Sequence, residues 1–155
     1  MAMTKAEALI GLRSSHDELV ARLNGYVPDQ WVAPLRTGTW RVRDVVAHIA
    51  VWDRLLAETI RALPTDQLSD WLSWGDDART DELNEQQVRI STSWTLDQLQ
   101  LELRQARAEV LGEISRLDEV QFSRTHRSGD VETSAEKLSA WWLSHDREHL
   151  AALPA

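Results

Sequence analysis

Apolar residues recur at helical spacing along almost the whole chain, and three Thr-x-x-Glu/Gln cap signals cut that pattern into segments. The first segment opens at Thr4 with Glu7 and runs to about Asn24 and Gly25. Its stripe is Leu9, Leu12, Leu19 and Leu23, with His16 on the same side. Pro28 and Pro34 then predict an extended connection as far as Trp40. A second helix is expected from about Val42 to Leu63, stopping before Pro64, with Val42, Val45, Ile49, Trp52, Leu56 and Leu63 inward. A third pattern, Leu83, Gln87, Ile90 and Trp94, shifts phase at the cap signal Thr95 with Gln98. It continues as Leu96, Leu99, Leu103, Ala106, Val110 and Leu117, so two helices in sequence are expected. The last helix is predicted from a capping box of Thr133 and Glu136 to about Leu153, with Leu138, Trp142, His145 and His149 on one stripe.

No strand-like alternation competes with these periods. Long amphipathic helices bury their stripes against one another, so the expected fold is all-α, a four-helix bundle forming one domain over residues 1–155. The connections at about 26–40, 64–80 and 118–133 are long for a bundle and imply crossovers rather than simple up-down hairpins. The acidic run from Asp76 and Asp77 to Asp81 and Glu82 reads as solvated loop.

A chain of 155 residues can bury a core without staples. No apolar run approaches the ~18–20 residues that span a bilayer, and Met1 to Ala8 lack an apolar stretch. Neither membrane insertion nor a signal peptide is expected, and a cytoplasmic location is the default. The formal net charge of −8, with no basic block interleaved with aromatics, argues against a nucleic-acid partner. Cysteine is absent, which excludes disulfides and thiolate nucleophiles. Eight tryptophans stand against one tyrosine and one phenylalanine. An indole offers a large apolar body with one N–H donor, suited to cores and to ligand pockets alike.

Chemistry concentrates in the last helix, at His145-Asp146-Arg147-Glu148-His149. Residues four apart share a helical face ~5–6 Å apart at Cβ, so two imidazoles can aim at one ion. Both fall on the core-facing stripe, where unexplained imidazoles are costly to bury. His48, between Val45 and Trp52, is placed to be a third ligand, although a lone histidine there is more often a hydrogen-bonded core residue. A gluzincin helix would need Glu where Asp146 stands, and a ferritin-like di-metal site would need two Glu-x-x-His pairs. A mononuclear site with an open position survives that comparison.

Secondary candidates surround these histidines. Asp44 lies one turn before His48 and is read either as its orienting partner or as a first-turn acid favoured by the helix dipole. His16 is read as a proton shuttle, an extra ligand or a core histidine. Trp52, Trp141 and Trp142 lie near the histidines and serve as pocket walls or as packing. His126 has no evident role.

The segment Thr39 to Asp53, TWRVRDVVAHIAVWD, resembles the second helix of the DinB-like superfamily, and His145 to Leu150 is similar to its closing His-x-x-x-His helix. The middle, from Asp81 through the helix ending near Leu117, is similar to the branch of the ClbS and DfsB kind. This resemblance spans nearly the whole chain. It implies a DinB-like bundle, often a homodimer, with nickel, zinc or another divalent ion held by His48, His145 and His149. It also implies activities such as low-molecular-weight thiol S-transfer, mycothiol-dependent isomerisation or hydrolysis of a toxin.

The leading expectation is therefore a metal-dependent detoxification enzyme, a hydrolase or thiol S-transferase, acting on a small electrophilic substrate. Because the chain has no cysteine, any thiol would be an exogenous cosubstrate. The alternatives are a bundle that sequesters a small molecule without catalysis, and a structural protein whose histidines are core residues.

Overall fold

The computed structural model describes residues 2–35, 38–75 and 78–154. Four long helices form its frame: α1 (Lys5–Asn24), α3 (Val42–Ala62), α5 (Leu96–Arg116) and α7 (Ala135–Ala152). Between them lie the short helix α2 (Pro28–Val32), the outlying helix α4 (Ala78–Ser91), the single turn α6 (Glu119–Ser123) and a hairpin of β1 (His126–Ser128) and β2 (Val131–Thr133). Among the described residues, no helix is long and apolar enough to cross a membrane.

The cap signals act as their chemistry requires. Thr4 accepts from the backbone N–H of Glu7 while the Glu7 carboxylate accepts from that of Thr4, and Thr95 with Gln98 repeats the arrangement at the start of α5. The last helix differs by one residue from expectation. Ser134 caps it by accepting from Lys137, and Glu136 instead accepts from the backbone N–H of Met3, tying α7 to the N-terminal segment.

Three connections hold more structure than the periodicity predicts. Pro28 opens α2, since a proline at the first helical position loses no hydrogen bond. The segment after α3 contains two 3₁₀ turns, 63–65 and 70–73, and Asp81 and Glu82 sit in α4 rather than in a loop. Asp76 and Asp77 lie outside the described residues. The polar segment 126–133 is a hairpin whose turn is closed by Gly129 at φ +57°, a conformation glycine adopts without strain. Strands of three residues are too short to show an alternating pattern.

Cross-helix bonds set the topology. Pairs between α3 and α5 climb together: Arg54 to Glu102 and Glu109, then Arg61 to Glu113, so these helices are parallel. Helices α1 and α7 are parallel as well, from Met3 with Glu136 to Arg22 with the Leu150 carbonyl. The order around the bundle is α1, α7, α3, α5, running up, up, down, down. A parallel α3–α5 pair needs a long return connection, and residues 63–95, carrying α4, provide it. Gly11 lets α1 approach α7, because a Cβ there would stand 3.0 Å from the Leu143 side chain.

The core is divided along the bundle axis. One cluster gathers Leu12, Leu56, Ile60, Val110, Ile114 and Trp142; the other gathers Leu19, Val45, Ile49, Leu99, Leu103 and Leu150. Between them, on every long helix, the inward position is polar: Ser15, Asp53, Arg107 and Asp146.

Candidate metal centre and its pocket

His48 on α3 and His145 and His149 on α7 meet where these antiparallel helices face each other. The His48 and His145 Nε2 atoms are 3.2 Å apart and those of His145 and His149 3.0 Å apart. With metal–nitrogen bonds of ~2.0–2.1 Å, adjacent ligand nitrogens on one ion sit about 2.9–3.4 Å apart, from octahedral to tetrahedral geometry. The third pair, His48 and His149, lies within 4.8 Å, so the three imidazoles could hold one small divalent ion as neutral ligands. Burial, then the proximity of the other histidines, pushes the pKa of His48 down to about 2 and that of His145 to about 4. Burial lowers His149 too, against the pull of Asp146 and Glu148. All three rings therefore present lone pairs at neutral pH. Among the described residues, the buried Nδ1 atoms of His48 and His145 have no hydrogen-bond partner.

Behind the site lies the polar layer. Arg107, 1% exposed, donates to Asp53 through Nε (2.8 Å) and Nη2 (3.1 Å), to Asp146 through Nη1 (2.8 Å) and Nη2 (2.9 Å), and to the Leu12 carbonyl. Trp142 donates from Nε1 to Asp53 at 2.7 Å, and Ser15 donates to Asp146. One guanidinium thus joins all four long helices. Burial works against the Asp146 charge, but hydrogen bonds and charge from Arg107 outweigh it and hold its pKa below the ordinary carboxylate value. For Asp53 burial is the larger effect and raises it. Successive residues on a helix point about 100° apart. Asp146 faces this layer while His145 faces the other way, into the pocket.

The histidines form the floor of a cavity of about 650 Å³. Trp40, Trp52, Trp71 and Trp141 wall it, with Asn84 and Thr80 from α4 and Glu148 at the rim. Trp40 lies against His48 with ring centroids 5.0 Å apart, and Trp71 and Trp141 are near-parallel at 5.9 Å.

Of the residues singled out in the sequence, the structure brings His48, His145, His149, Trp52 and Trp141 to this cavity. It does not bring the others. Trp142 is core, its indole N–H held by Asp53. Asp44 does not orient His48: its carboxylate accepts from the backbone N–H and guanidinium of Arg41, because an acid at the third helical position reaches back to the cap. His16 lies outside the histidine cluster, beside Arg107 and Asp146. Burial, then Arg107, lowers its pKa to about 4. His126 has a partner after all, Asp66, with Nδ1 and Oδ1 2.7 Å apart.

Sequence reasoning missed Trp40, Trp71, Asn84, Glu148 and Arg107. Only Arg107 left a local signal, a charged residue on the apolar stripe between Leu103 and Val110.

Residues 11–153 match the model of the DinB superfamily. The chain belongs to the DinB superfamily. No curated protein sequence matches it. Among solved structures, a four-helix bundle protein is 26% identical, with a TM-score of 0.65 and 96% and 97% of the two chains covered. A variant of the mycothiol-dependent maleylpyruvate isomerase is 14% identical with a TM-score of 0.78; 99% of this chain covers 62% of that one. The colibactin self-resistance protein ClbS, solved in complex with double-stranded DNA, is 12% identical with a TM-score of 0.73, covering 96% and 94%. The last two likenesses establish the DinB-like bundle and nothing finer.

Proposed function

We propose that this DinB-superfamily chain is a mononuclear metal-dependent enzyme acting on a small electrophilic substrate. His48, His145 and His149 hold nickel or zinc, and the reaction is hydrolysis or transfer of an exogenous thiol. The observation that carries this reading is the convergence of three neutral Nε2 atoms on the floor of a tryptophan-walled cavity. A divalent ion held by three neutral ligands keeps an open position and its full charge, which lowers the pKa of a water or thiol bound there. The chain's own part is to seat the substrate between indoles, to keep bulk water from the floor, and to present α7 at a fixed rotation.

The test is metal analysis of protein purified without a histidine tag, followed by titration with zinc and nickel. Near-equimolar uptake that His145→Ala removes is expected. A stoichiometry near zero with no uptake of added ion would sink the proposal.

A second reading, a bundle that sequesters a small molecule without catalysis, is favoured by the same four indoles. It predicts ligand-dependent tryptophan fluorescence that is unchanged by His145→Ala and by chelator.

A further inference from the structure

The cavity walls favour one class of molecule. Trp52 spends its indole N–H on the Asn84 side-chain oxygen (2.8 Å) and Trp71 spends its own on Thr59 (3.0 Å). These two rings are locked in place and offer the cavity their π faces and edges rather than free donors. They stand nearly perpendicular, with centroids 5.5 Å apart and planes at 86°, while Trp141 lies alongside Trp71 at 5.9 Å and 23°. Trp141 is 50% exposed, although the core has no need of an indole there. Among the described residues, no lysine or arginine lines the cavity. Of the acidic side chains among the described residues, Glu148 lines it; it is exposed and makes no ion pair with any described residue.

Indole faces carry the negative end of a quadrupole and attract cations. The Glu148 carboxylate at the rim adds to that attraction, and the chain's net charge of −8 extends it outward. An anionic ligand would find no basic side chain among the described residues of these walls. The geometry points to an organic cation with an apolar body, a protonated or quaternary amine, as the molecule this cavity binds, with the charged group against Trp141 and beside Glu148. The remainder of the molecule then extends past Trp52 and Trp40 toward the histidines. This inference rests on the reading of the cavity as a substrate site, and it adds the charge and class of the substrate.

The experiment compares three benzyl probes of similar size: benzyltrimethylammonium, benzyl alcohol and benzenesulfonate. Each is titrated into chelator-treated protein and followed by tryptophan fluorescence and calorimetry. Saturable binding of the cation is expected, with weaker binding of the alcohol and none of the sulfonate. Glu148→Gln should weaken the cation about fivefold, as loss of an exposed charge partner does, and leave benzyl alcohol unchanged. Trp141→Ala should weaken the cation about tenfold, the weight of one partly desolvated cation–π contact. Sulfonate binding as tight as the cation, or no effect of Glu148→Gln, overturns the inference. A parallel zinc titration of the native chain separates it from the metal reading. Metal uptake without cation preference rejects the ligand class alone, and cation preference without metal uptake rejects the metal centre alone.

Discussion

Arg107 on α5 and Asp146 on α7 face each other across the bundle interior, joined by two bonds of 2.8 and 2.9 Å. Asp146 is the residue next to His145, so the bond that stabilises the bundle's centre also fixes the rotation of the helix that presents two of the three imidazoles. Removing one member of a buried ion cluster strands the charges that remain. Arg107→Met should therefore cost about 3–5 kcal/mol in urea unfolding, with zinc uptake weakened in whatever folded fraction persists. A loss below about 1 kcal/mol would show that water reaches the layer and that Arg107 is not its keystone.

Adjacent tryptophans should behave in opposite ways. Trp142, 1% exposed, gives its N–H to Asp53; Trp142→Phe keeps much of the apolar body and leaves a buried carboxylate short of a donor, at a cost of about 1–3 kcal/mol. Trp141→Ala, on the exposed side, should change stability by no more than about 0.5 kcal/mol. Thermal or denaturant unfolding of the two variants tests the contrast.

Metal binding should register as stability. An ion present at about 100 times its Kd adds about 2.7 kcal/mol to a fold that alone can bind it. Melting curves with zinc or nickel should shift upward for the native chain. They should stay in place for His48→Ala, His145→Ala and His149→Ala, with chelator reversing the shift.

Acid should destabilise the metal-free protein before its carboxylates titrate. The pKa of His16 falls from 6.5 to about 4 in the folded state, since burial and Arg107 oppose its charge. Above pH 6.5 the ring is neutral in both folded and unfolded chains. As pH falls from 6.5 toward 4, the unfolded chain takes up the proton first, and stability is lost across that window. His16→Gln cannot titrate, so its melting temperature should fall less steeply over the same range. An unchanged slope would mean that His16 is protonated in the folded protein.

How far the sequence reached can be read from particular residues. The helices and most of their caps were legible because helical periodicity and Thr-x-x-Glu/Gln signals are local; Thr4 and Thr95 act on atoms three residues away. His145 and His149 were legible for the same reason, as one turn of helix separates them. His48 needed more, since nothing local relates α3 to α7. The hairpin at 126–133 was not legible, because strands of three residues leave no alternation to detect.

The pocket lay further out of reach. Trp71 and Asn84 arrive from the return connection between parallel helices α3 and α5, and no spacing rule links either to His149. In the sequence Trp142 alone lies on the inward stripe, yet both tryptophans read as pocket wall or packing; about 100° of helical rotation sends Trp141 to the cavity and Trp142 to the core. Sequence alone determined where the long helices run and which imidazoles share a face, because those depend on bonds within a few residues. Tertiary structure decided which aromatic rings surround the histidines and that one arginine braces all four helices, because those depend on how the chain crosses the bundle between its helices.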